Sequence, residues 1–283
     1  MKKQLSGGTL VFLGALFWSL NAPLVKFLDI DPYLMCGLRA LIAGIALIPF
    51  LRLKKLHWNI WTLVYVCAYC ALSLTIILAL KQTSSAIAIG MQYGAIIWLF
   101  LARWITTKHF DRWGALPVCI VLAGVVLFMC SGTGGTMTGN LLALTESIFF
   151  ACMTVSSKLS AGENPLGLTA LGNLFTGFVV LLAFPDSTAT VATLSALDWA
   201  LMLVLGVVQL GCGYAFYNLG VQKVSPQKAS LLALWEMLLG PLWVAIFLGE
   251  LPSTLVLIGF AVILVGMLLD ALMPQIAKKR KRI

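Results

Sequence analysis

The sequence predicts an all-α integral membrane protein of ten transmembrane helices, arranged as two inverted five-helix repeats with both termini in the cytoplasm. Three observations predict this fold. Hydrophobic residues make up 61% of the 283 residues and charged residues only 10%, and the mean hydropathy of +1.01 exceeds what a water-soluble domain can cover with polar surface. Apolar stretches of membrane-spanning length recur along the chain, and its two halves resemble each other. We therefore expect the lipid bilayer to surround most of the protein.

The individual spans follow from their length. A helix needs about 20 apolar residues to cross the hydrocarbon core, and stretches of this length alternate with short polar turns. The predicted spans are 10–28, 33–53, 61–80, 85–105, 113–131, 139–159, 166–185, 196–219, 229–248 and 254–273. The first span follows Lys2 and Lys3, as a secretory signal would, but no small-residue cleavage pattern precedes Asp29. We interpret it as a retained first helix.

The basic residues predict the orientation. With the amino terminus in the cytoplasm, all but three of the 19 Lys and Arg residues fall in cytoplasmic segments, the exceptions being Lys26, Arg39 and Lys81. This asymmetry follows the positive-inside rule, and the net charge of +9 adds attraction to anionic headgroups. We expect a multi-pass protein of a bacterial inner membrane, the plasma membrane. A short basic run beside a membrane anchors and orients, so no nucleic acid is expected as a partner.

The seven cysteines do not form a metal-binding or redox pattern. Cys67 and Cys70 make a C-x-x-C arrangement inside an apolar span, where an accessible thiolate and a polar ligand partner are both missing. We interpret the cysteines as small buried hydrophobes. The sequence predicts no cofactor and no metal.

The two halves of the chain align with each other. The aligned segments are 14–26 over 146–158 and 85–93 over 228–236. The first alignment places Lys26 over Lys158. Because each repeat contains an odd number of helices, the second repeat enters from the opposite side of the membrane. We expect the first repeat over 1–132 and the second, with its basic cytoplasmic tail, over 133–283. Inverted repeats recur in secondary transporters, where the halves exchange conformations.

The same stretches resemble a known family. The segments that carry the resemblance are Phe17-Trp-Ser-Leu-Asn-Ala-Pro-Leu-Val-Lys26, Arg39 to Pro49, Ala79-Leu-Lys-Gln-Thr-Ser-Ser-Ala-Ile-Ala88, and Ala229 to Glu250. In order, spacing and duplication they resemble the EamA-type transporters of the drug/metabolite transporter superfamily. The resemblance implies a ten-helix inverted-repeat fold that moves small organic molecules through a central cavity. The fourth and ninth helices of the family usually carry a proline soon after the polar position, and here Trp98 and Pro241 occupy that site. Glu236 is followed by Met237, where the family often has proline.

Three ionisable residues lie well inside the predicted spans: Arg39, Glu146 and Glu236. A charge near a helix centre costs about 2.5–3.5 kcal/mol on translocon scales, so each is expected to face the bundle interior or a wet cavity. Counting along the helices places Glu236 near the midplane, and Glu146 and Arg39 in the outer half. All three are candidates for coupling or charge compensation. Arg39 has a structural alternative, which is to pair with Glu146 or with carbonyl groups at helix ends.

Aromatic and amide side chains reach the same depth, away from the interfacial belts where Trp and Tyr usually lie. The candidate substrate-binding residues are Trp18, Asn21, Gln92, Tyr93, Glu146, Tyr214, Trp235 and Glu236. Aromatic faces beside a carboxylate suit an organic cation, at about 2 kcal/mol or more for each desolvated cation–π contact. Each aromatic has plain packing as an alternative, and adjacent Trp235 and Glu236 cannot point the same way. Tyr214 follows Gly211-Cys-Gly213, where we expect a loosened helix at the inner gate.

The predicted function is secondary transport of a small organic metabolite by alternating access. The chain has no nucleotide-binding motif, which excludes pumping driven by ATP. The substrate stays open between an organic cation, such as a quaternary amine, and an amino acid whose carboxylate and amine would meet Arg39 and Glu236. If a proton is the coupling ion, Glu236 or Glu146 is its candidate carrier, because carboxyl groups inside a membrane can bind and release a proton.

Two other classes compete with a carrier. An integral membrane enzyme would need a catalytic set, but the two histidines, His57 and His109, fall in inner loops at a different depth from the acids. A channel would need a ring of identical filter groups, which a pseudo-twofold monomer lacks. We therefore expect no enzyme activity, and a monomer or a weak homodimer.

Overall fold

The computed structural model describes residues 5–132, 134–160, 162 and 164–280, with the backbone alone at 226–227 and 274–280. Lys2, Lys3, Lys281, Arg282 and the predicted repeat boundary at 133 lie outside the described residues. Ten of the described helices are long and apolar enough to cross a membrane. They are α1 (Gly7–Phe27), α2 (Pro32–Phe50), α3 (Ile60–Gln82), α4 (Ser85–Thr107), α5 (Arg112–Cys130), α6 (Met137–Ser160), α7 (Pro165–Ala183), α8 (Ala196–Val221), α9 (Pro226–Leu248) and α10 (Thr254–Arg280). The predicted spans are confirmed as helices.

A polar side chain caps the start of every one of these helices. The capping residues are Ser6, Asp31, Asn59, Ser84, Asp111, Thr136, Asn164, Ser195, Ser225 and Ser253, in the order α1 to α10. The first N–H groups of a helix have no partner within the helix, and hydrocarbon offers them no water. The caps satisfy these groups, which fixes where each turn ends and each helix begins.

Two helices of the first repeat are interrupted near their centres. α1 breaks at Leu20, between Gly7–Ser19 and Asn21–Phe27, because Pro23 has no N–H to donate to the carbonyl of Ser19. α4 tightens into a turn at residues 93–94, between Ser85–Gln92 and Ala95–Thr107. Each break lies next to residues that the sequence singles out as candidates for the site.

The second repeat departs from regular helix in a different place. α8 contains a π-helix, Val204–Cys212, which is the loosened segment that the glycines at 211 and 213 predict. α9 continues without a break through Pro241. The two repeats therefore share a layout but not the position of their irregular turns.

The packing of the helices follows a twofold pattern. The contact of α3 with α6 in one half corresponds to the contact of α8 with α1 in the other. In the same way, the contact of α4 with α6 corresponds to that of α9 with α1. The remaining two contacts, α2 with α7 and α5 with α10, each join a helix to its own counterpart. Exchanging each helix with the one five places away leaves this pattern unchanged. Their shared core contains Met35, Ile77, Met91, Phe128 and Met237. The predicted layout of two five-helix repeats is confirmed, whereas the boundaries 1–132 and 133–283 stay a prediction.

The two ends of the bundle differ in charge. One end, here called the basic end, carries the turns after α2, α4, α6 and α8. Its described basic residues are Arg52, Lys54, Lys55, Arg103, Lys108, Arg112, Lys158, Lys223 and Lys228. The other end, here called the opposite end, carries the turns after α1, α3, α5, α7 and α9, with Lys26, Lys81 and Glu250.

Candidate functional site

A cavity of about 480 Å³ lies at the centre of the bundle. Eight helices line it, and no described side chain of α5 or α10 does. It extends to Lys158, Pro165 and Val221 at the basic end, whereas none of the described residues at the helix termini of the opposite end lines it. The cavity is therefore open toward the basic end and closed toward the opposite end. Its volume is in the range of sites that hold small organic molecules.

The three ionisable residues predicted to face the interior all line this cavity. Arg39 is 2% exposed and Glu146 is 1% exposed. One terminal nitrogen of Arg39 donates a hydrogen bond to Oδ1 of Asn21 at 2.5 Å, and the other donates to the Ser73 carbonyl at 3.3 Å. Arg39 and Glu146 make no direct ion pair in the described chain, although they interact electrostatically, as Glu146 and Glu236 also do. Arg39 thus joins helices through an amide and a carbonyl oxygen.

Four polar atoms of the lining residues have no hydrogen-bond partner in the described protein. They are Trp18 Nε1, Arg39 Nε, Glu146 Oε2 and Gln209 Oε1. Leaving a buried donor or acceptor unpaired costs about 1–3 kcal/mol. The described residues around the cavity therefore leave two buried donors and two buried acceptors unpaired.

An aromatic wall, defined here as Trp18, Tyr65, Tyr69, Tyr214 and Tyr217, follows one side of the cavity. The Trp18 ring lies 4.9 Å from Tyr214 and 4.7 Å from Tyr217, centroid to centroid. Tyr214 lies 6.1 Å from Tyr69, which lies 5.8 Å from Tyr65. These separations fit favourable aromatic pairs, so the wall is continuous from α1 across α8 to α3.

The irregular part of α8 sets the position of Trp18. A Cβ atom added at Gly213 would lie 2.6 Å from Cδ1 of Trp18 and 2.7 Å from its Nε1. The indole ring therefore rests directly on the backbone of α8, just after the π-helix. Only glycine leaves room for this contact, which brings the Cδ1–Nε1 edge of the indole against the backbone of α8.

Tyr93 and Glu236 also line the cavity, together with Gln92. Tyr93 lies at the break in α4, and its side chain interacts with the Glu236 side chain on α9. The break thus brings the phenol of one repeat beside the carboxyl group of the other.

Seven of the eight predicted binding residues come together in the cavity. They are Trp18, Asn21, Gln92, Tyr93, Glu146, Tyr214 and Glu236. The predicted place of Trp235 is corrected: it is 43% exposed on the outer surface and packs edge-on against Phe12 at 5.8 Å. Adjacent residues of a helix point in different directions. Because the Glu236 side chain points into the cavity, the Trp235 side chain points away from it. The binding roles of the seven stay a prediction.

Other lining residues were not anticipated from the sequence. Tyr65 and Tyr69 are one helical turn apart on α3 and share a face, a spacing that could have signalled a second aromatic contribution. Gln209 is a 4% exposed amide inside an apolar span, which is also a recognisable signal.

A polar network closes the opposite end. Lys26 Nζ lies 2.6 Å from Glu250 Oε2 and donates to the Thr83 carbonyl at 2.9 Å. Glu250 Oε1 accepts from the backbone N–H of Ser85 at 2.7 Å and from its hydroxyl at 2.9 Å. Lys81 donates to the Leu28 carbonyl at 2.5 Å. The network joins the end of α1 to the turns after α3 and α9.

Comparison with known proteins agrees with this architecture. A model of the EamA-like transporter family matches residues 5–130 and 137–270, once in each half. A search of curated proteins gave no significant match. A solved crystal structure of a protein is similar, with a TM-score of 0.63 and 18% identity over 94% of this chain and 96% of the other, a likeness that shows the fold alone. Because the family model covers most of the sequence, the chain belongs to the EamA-like transporter family and is a multi-pass membrane transporter of the drug/metabolite transporter superfamily.

Proposed function

We propose that the protein is a secondary transporter that carries a small organic cation through the central cavity by alternating access. The observation that carries this proposal is the charge of the deep part of the lining, away from the mouth where the exposed Lys158 lies. Two carboxyl groups, of Glu146 and Glu236, share the buried part of the cavity with one guanidinium, that of Arg39. If both carboxyl groups are ionised, one negative charge has no counterpart, and such a charge is costly inside a bilayer. A cationic substrate would compensate it.

The aromatic wall supports the same class of substrate. Ring faces attract a desolvated cation by about 2 kcal/mol or more for a good contact. Trp18, Tyr214 and Tyr93 line the same cavity as Glu236, so such faces are combined with a carboxyl group. A quaternary amine, which cannot donate hydrogen bonds, gains most from this combination.

A proton is the coupling ion that this arrangement favours. A carboxyl group left without its cation becomes neutral by binding a proton, so substrate and proton would compete for the same site and exchange across the membrane. The opening at one end and the two-repeat layout support alternating access. By the positive-inside rule, the basic end would face the cytoplasm of a cell whose plasma membrane holds the protein.

An amino acid is the second candidate, because the cavity also offers unpaired donors. Arg39 Nε and Trp18 Nε1 have no partner in the described protein. After a side-chain movement that brings these buried nitrogens to the cavity, they would hold the carboxylate of a zwitterion, while Glu146 or Glu236 would hold its ammonium group.

A thermal-shift screen of the purified protein tests both candidates, because a ligand that binds the folded state raises its melting temperature. The probes are tetraethylammonium, choline, amino acids and sugars. Glu236→Gln removes a cavity carboxylate, and Asp270→Asn is its matched control, since Asp270 lies on the exposed face of α10 and does not line the cavity.

We expect a quaternary amine to stabilise the wild type and Asp270→Asn, but not Glu236→Gln. Stabilisation by an amino acid that disappears in Arg39→Lys would support the second candidate instead. Stabilisation by a sugar alone, unchanged in Glu236→Gln, would contradict both. In proteoliposomes, uptake of the hit should depend on pH in the wild type, and the same pH dependence in Glu236→Gln would exclude that residue as the proton carrier.

A further inference from the structure

The network at the opposite end is built around one ion pair. Lys26 and Glu250 have side chains 16% and 27% exposed, and each has further partners, the Thr83 carbonyl for Lys26 and both polar groups of Ser85 for Glu250. Charge-assisted hydrogen bonds of this kind are about twice as strong as neutral ones. The Lys26–Glu250 ion pair and Ser85 together, called the latch below, therefore resist separation of α1, α4 and α9 at this end.

The twofold pattern of the fold defines the mirror positions at the basic end. α1 corresponds to α6, and Lys26 and Lys158 each lie in the last turn of their helix. α4 corresponds to α9, and both end at a residue in the left-handed conformation, Lys108 with φ 54° and Gly249 with φ 68°. The residues that directly follow Lys108 and Gly249 are therefore equivalent, so His109 occupies the mirror position of Glu250.

The other partner in the latch is also replaced. Ser84 caps α4 and Ser225 caps α9, an offset of 141 residues that also relates Lys108 to Gly249. This structural register is two residues shorter than the sequence alignment of 85–93 over 228–236, and it places Pro226 at the mirror position of Ser85. Proline has no N–H and no hydroxyl to donate. Lys158 itself lines the mouth of the cavity and has no ion-pair partner among the described residues. The basic end therefore has the lysine but neither the acid nor the donors.

We infer that Lys26, Ser85 and Glu250 form a one-sided latch: they hold the opposite end closed, and because His109 and Pro226 break the mirror arrangement, the protein rests with its cavity open at the basic end. This inference rests on the proposed alternating access. Two exact repeats would populate the two conformations equally. The latch makes them unequal, and a substrate must supply the free energy to release it.

Hydrogen–deuterium exchange of the purified full-length protein, without substrate, tests the latch. Glu250→Gln removes the charge, and Asp186→Asn is the matched control because Asp186 is an exposed acid at the same end. We expect Glu250→Gln to raise exchange at 83–86 and 249–253 by about tenfold, the effect of losing a charge-assisted hydrogen bond. Exchange at 157–160 and 218–222 should fall, because the basic end then closes. The control should resemble the wild type.

His109→Glu tests the missing half of the arrangement by giving Lys158 an acid. His109 is exposed, so the substitution should fold, and we expect slower exchange at the basic end with faster exchange at the opposite end. If Glu250→Gln exchanges faster at the opposite end but is unchanged at the basic end, the ion pair has only a local effect and the inference is overturned. So would unchanged exchange in Glu250→Gln or in His109→Glu. A protein that shows the expected exchange but binds no cation would overturn the proposed cargo and leave the latch intact.

Discussion

The guanidinium of Arg39 donates a 2.5 Å hydrogen bond to the side-chain oxygen of Asn21, and this bond ties α2 to the break in α1. Asn21 is the first residue after the interruption at Leu20. The second hydrogen bond of Arg39, to the carbonyl of Ser73, reaches α3. One buried cation thus joins three helices of the first repeat beside the cavity. Because Arg39 also lines the cavity, the same group can both stabilise the bundle and contact a substrate.

Asn21→Ala should lower the melting temperature of the purified protein. The substitution removes a hydrogen bond to a charged group, a loss of about 1.5–3 kcal/mol. Asn21→Asp should keep the melting temperature at or above that of the wild type, because a carboxylate accepts the same bond and adds charge. Asn218→Ala is the control: Asn218 also lines the cavity, but it donates only to the Tyr214 carbonyl of its own helix. An equal loss in Asn218→Ala would mean that the Arg39 contact has no special role.

Gly213→Ala should weaken ligand binding more than it lowers stability. The added methyl would lie 2.6 Å from the Trp18 ring, so the indole must move off the backbone of α8 and the aromatic wall must shift. Overpacking of this kind costs typically about 1–3 kcal/mol. The measurement is ligand affinity by titration calorimetry, beside the melting temperature.

Gly211→Ala is the matched control for that experiment. At Gly211 the nearest atom to an added Cβ is the Gly206 carbonyl oxygen at 3.4 Å, an ordinary contact, so affinity should stay at the wild-type value. If both alanine variants lose affinity equally, the cause is the stiffening of the π-helix and not the contact with Trp18.

The sequence predicts the spans well because the length of an apolar stretch is a local signal. Apolar length gives the span, and the structure adds a capping residue, such as Asp31 or Asn59, that fixes where the helix begins. The inward direction of Arg39, Glu146 and Glu236 is also predictable, since no other direction avoids exposing a charge to lipid.

What the sequence cannot predict is the register after an irregular turn and the contacts between distant segments. The π-helix Val204–Cys212 shifts the face on which Tyr214 and Tyr217 lie, so counting at the ordinary helical period fails beyond it. The pairing of Lys26 with Glu250 depends on how the two repeats dock. Trp235 shows a third limit of prediction from sequence. An uncharged aromatic side chain is as stable in lipid as in the protein interior, so its own chemistry does not fix its direction. Here the direction of Trp235 follows from that of its neighbour Glu236.

Trp18→Leu should weaken binding of the transported molecule, and Trp235→Leu should not. Both changes replace an indole with an apolar side chain at mid-membrane depth, but only Trp18 lines the cavity, whereas Trp235 lies on the outer surface against Phe12. For a cationic ligand, the loss of one cation–π contact corresponds to about 2 kcal/mol. Affinity measured on the two purified variants decides the matter. A loss in Trp235→Leu that equals the loss in Trp18→Leu would place the binding site elsewhere.

Two tryptophan–serine hydrogen bonds, here called pins, should each hold the repeats together at corresponding helix pairs, although not at aligned residues. Trp98 donates to the Ser147 hydroxyl at 2.7 Å, between α4 and α6, and Trp243 donates to the Ser19 hydroxyl at 3.0 Å, between α9 and α1. These helix pairs correspond under the twofold pattern. Hydrogen bonds between membrane helices contribute about 0.6 kcal/mol on average in double-mutant cycles, so each pair should show a coupling energy of that size.

The cycles use Trp→Phe and Ser→Ala substitutions, singly and together, with unfolding free energies measured in mixed micelles. Within each pair the double variant should lose less than the sum of the single losses. Trp98→Phe combined with Trp243→Phe should be additive within about 0.5 kcal/mol, since the two pins share no partner. Coupling in one pair but not in the other would show that the twofold pattern of packing does not extend to the energetics of the interface.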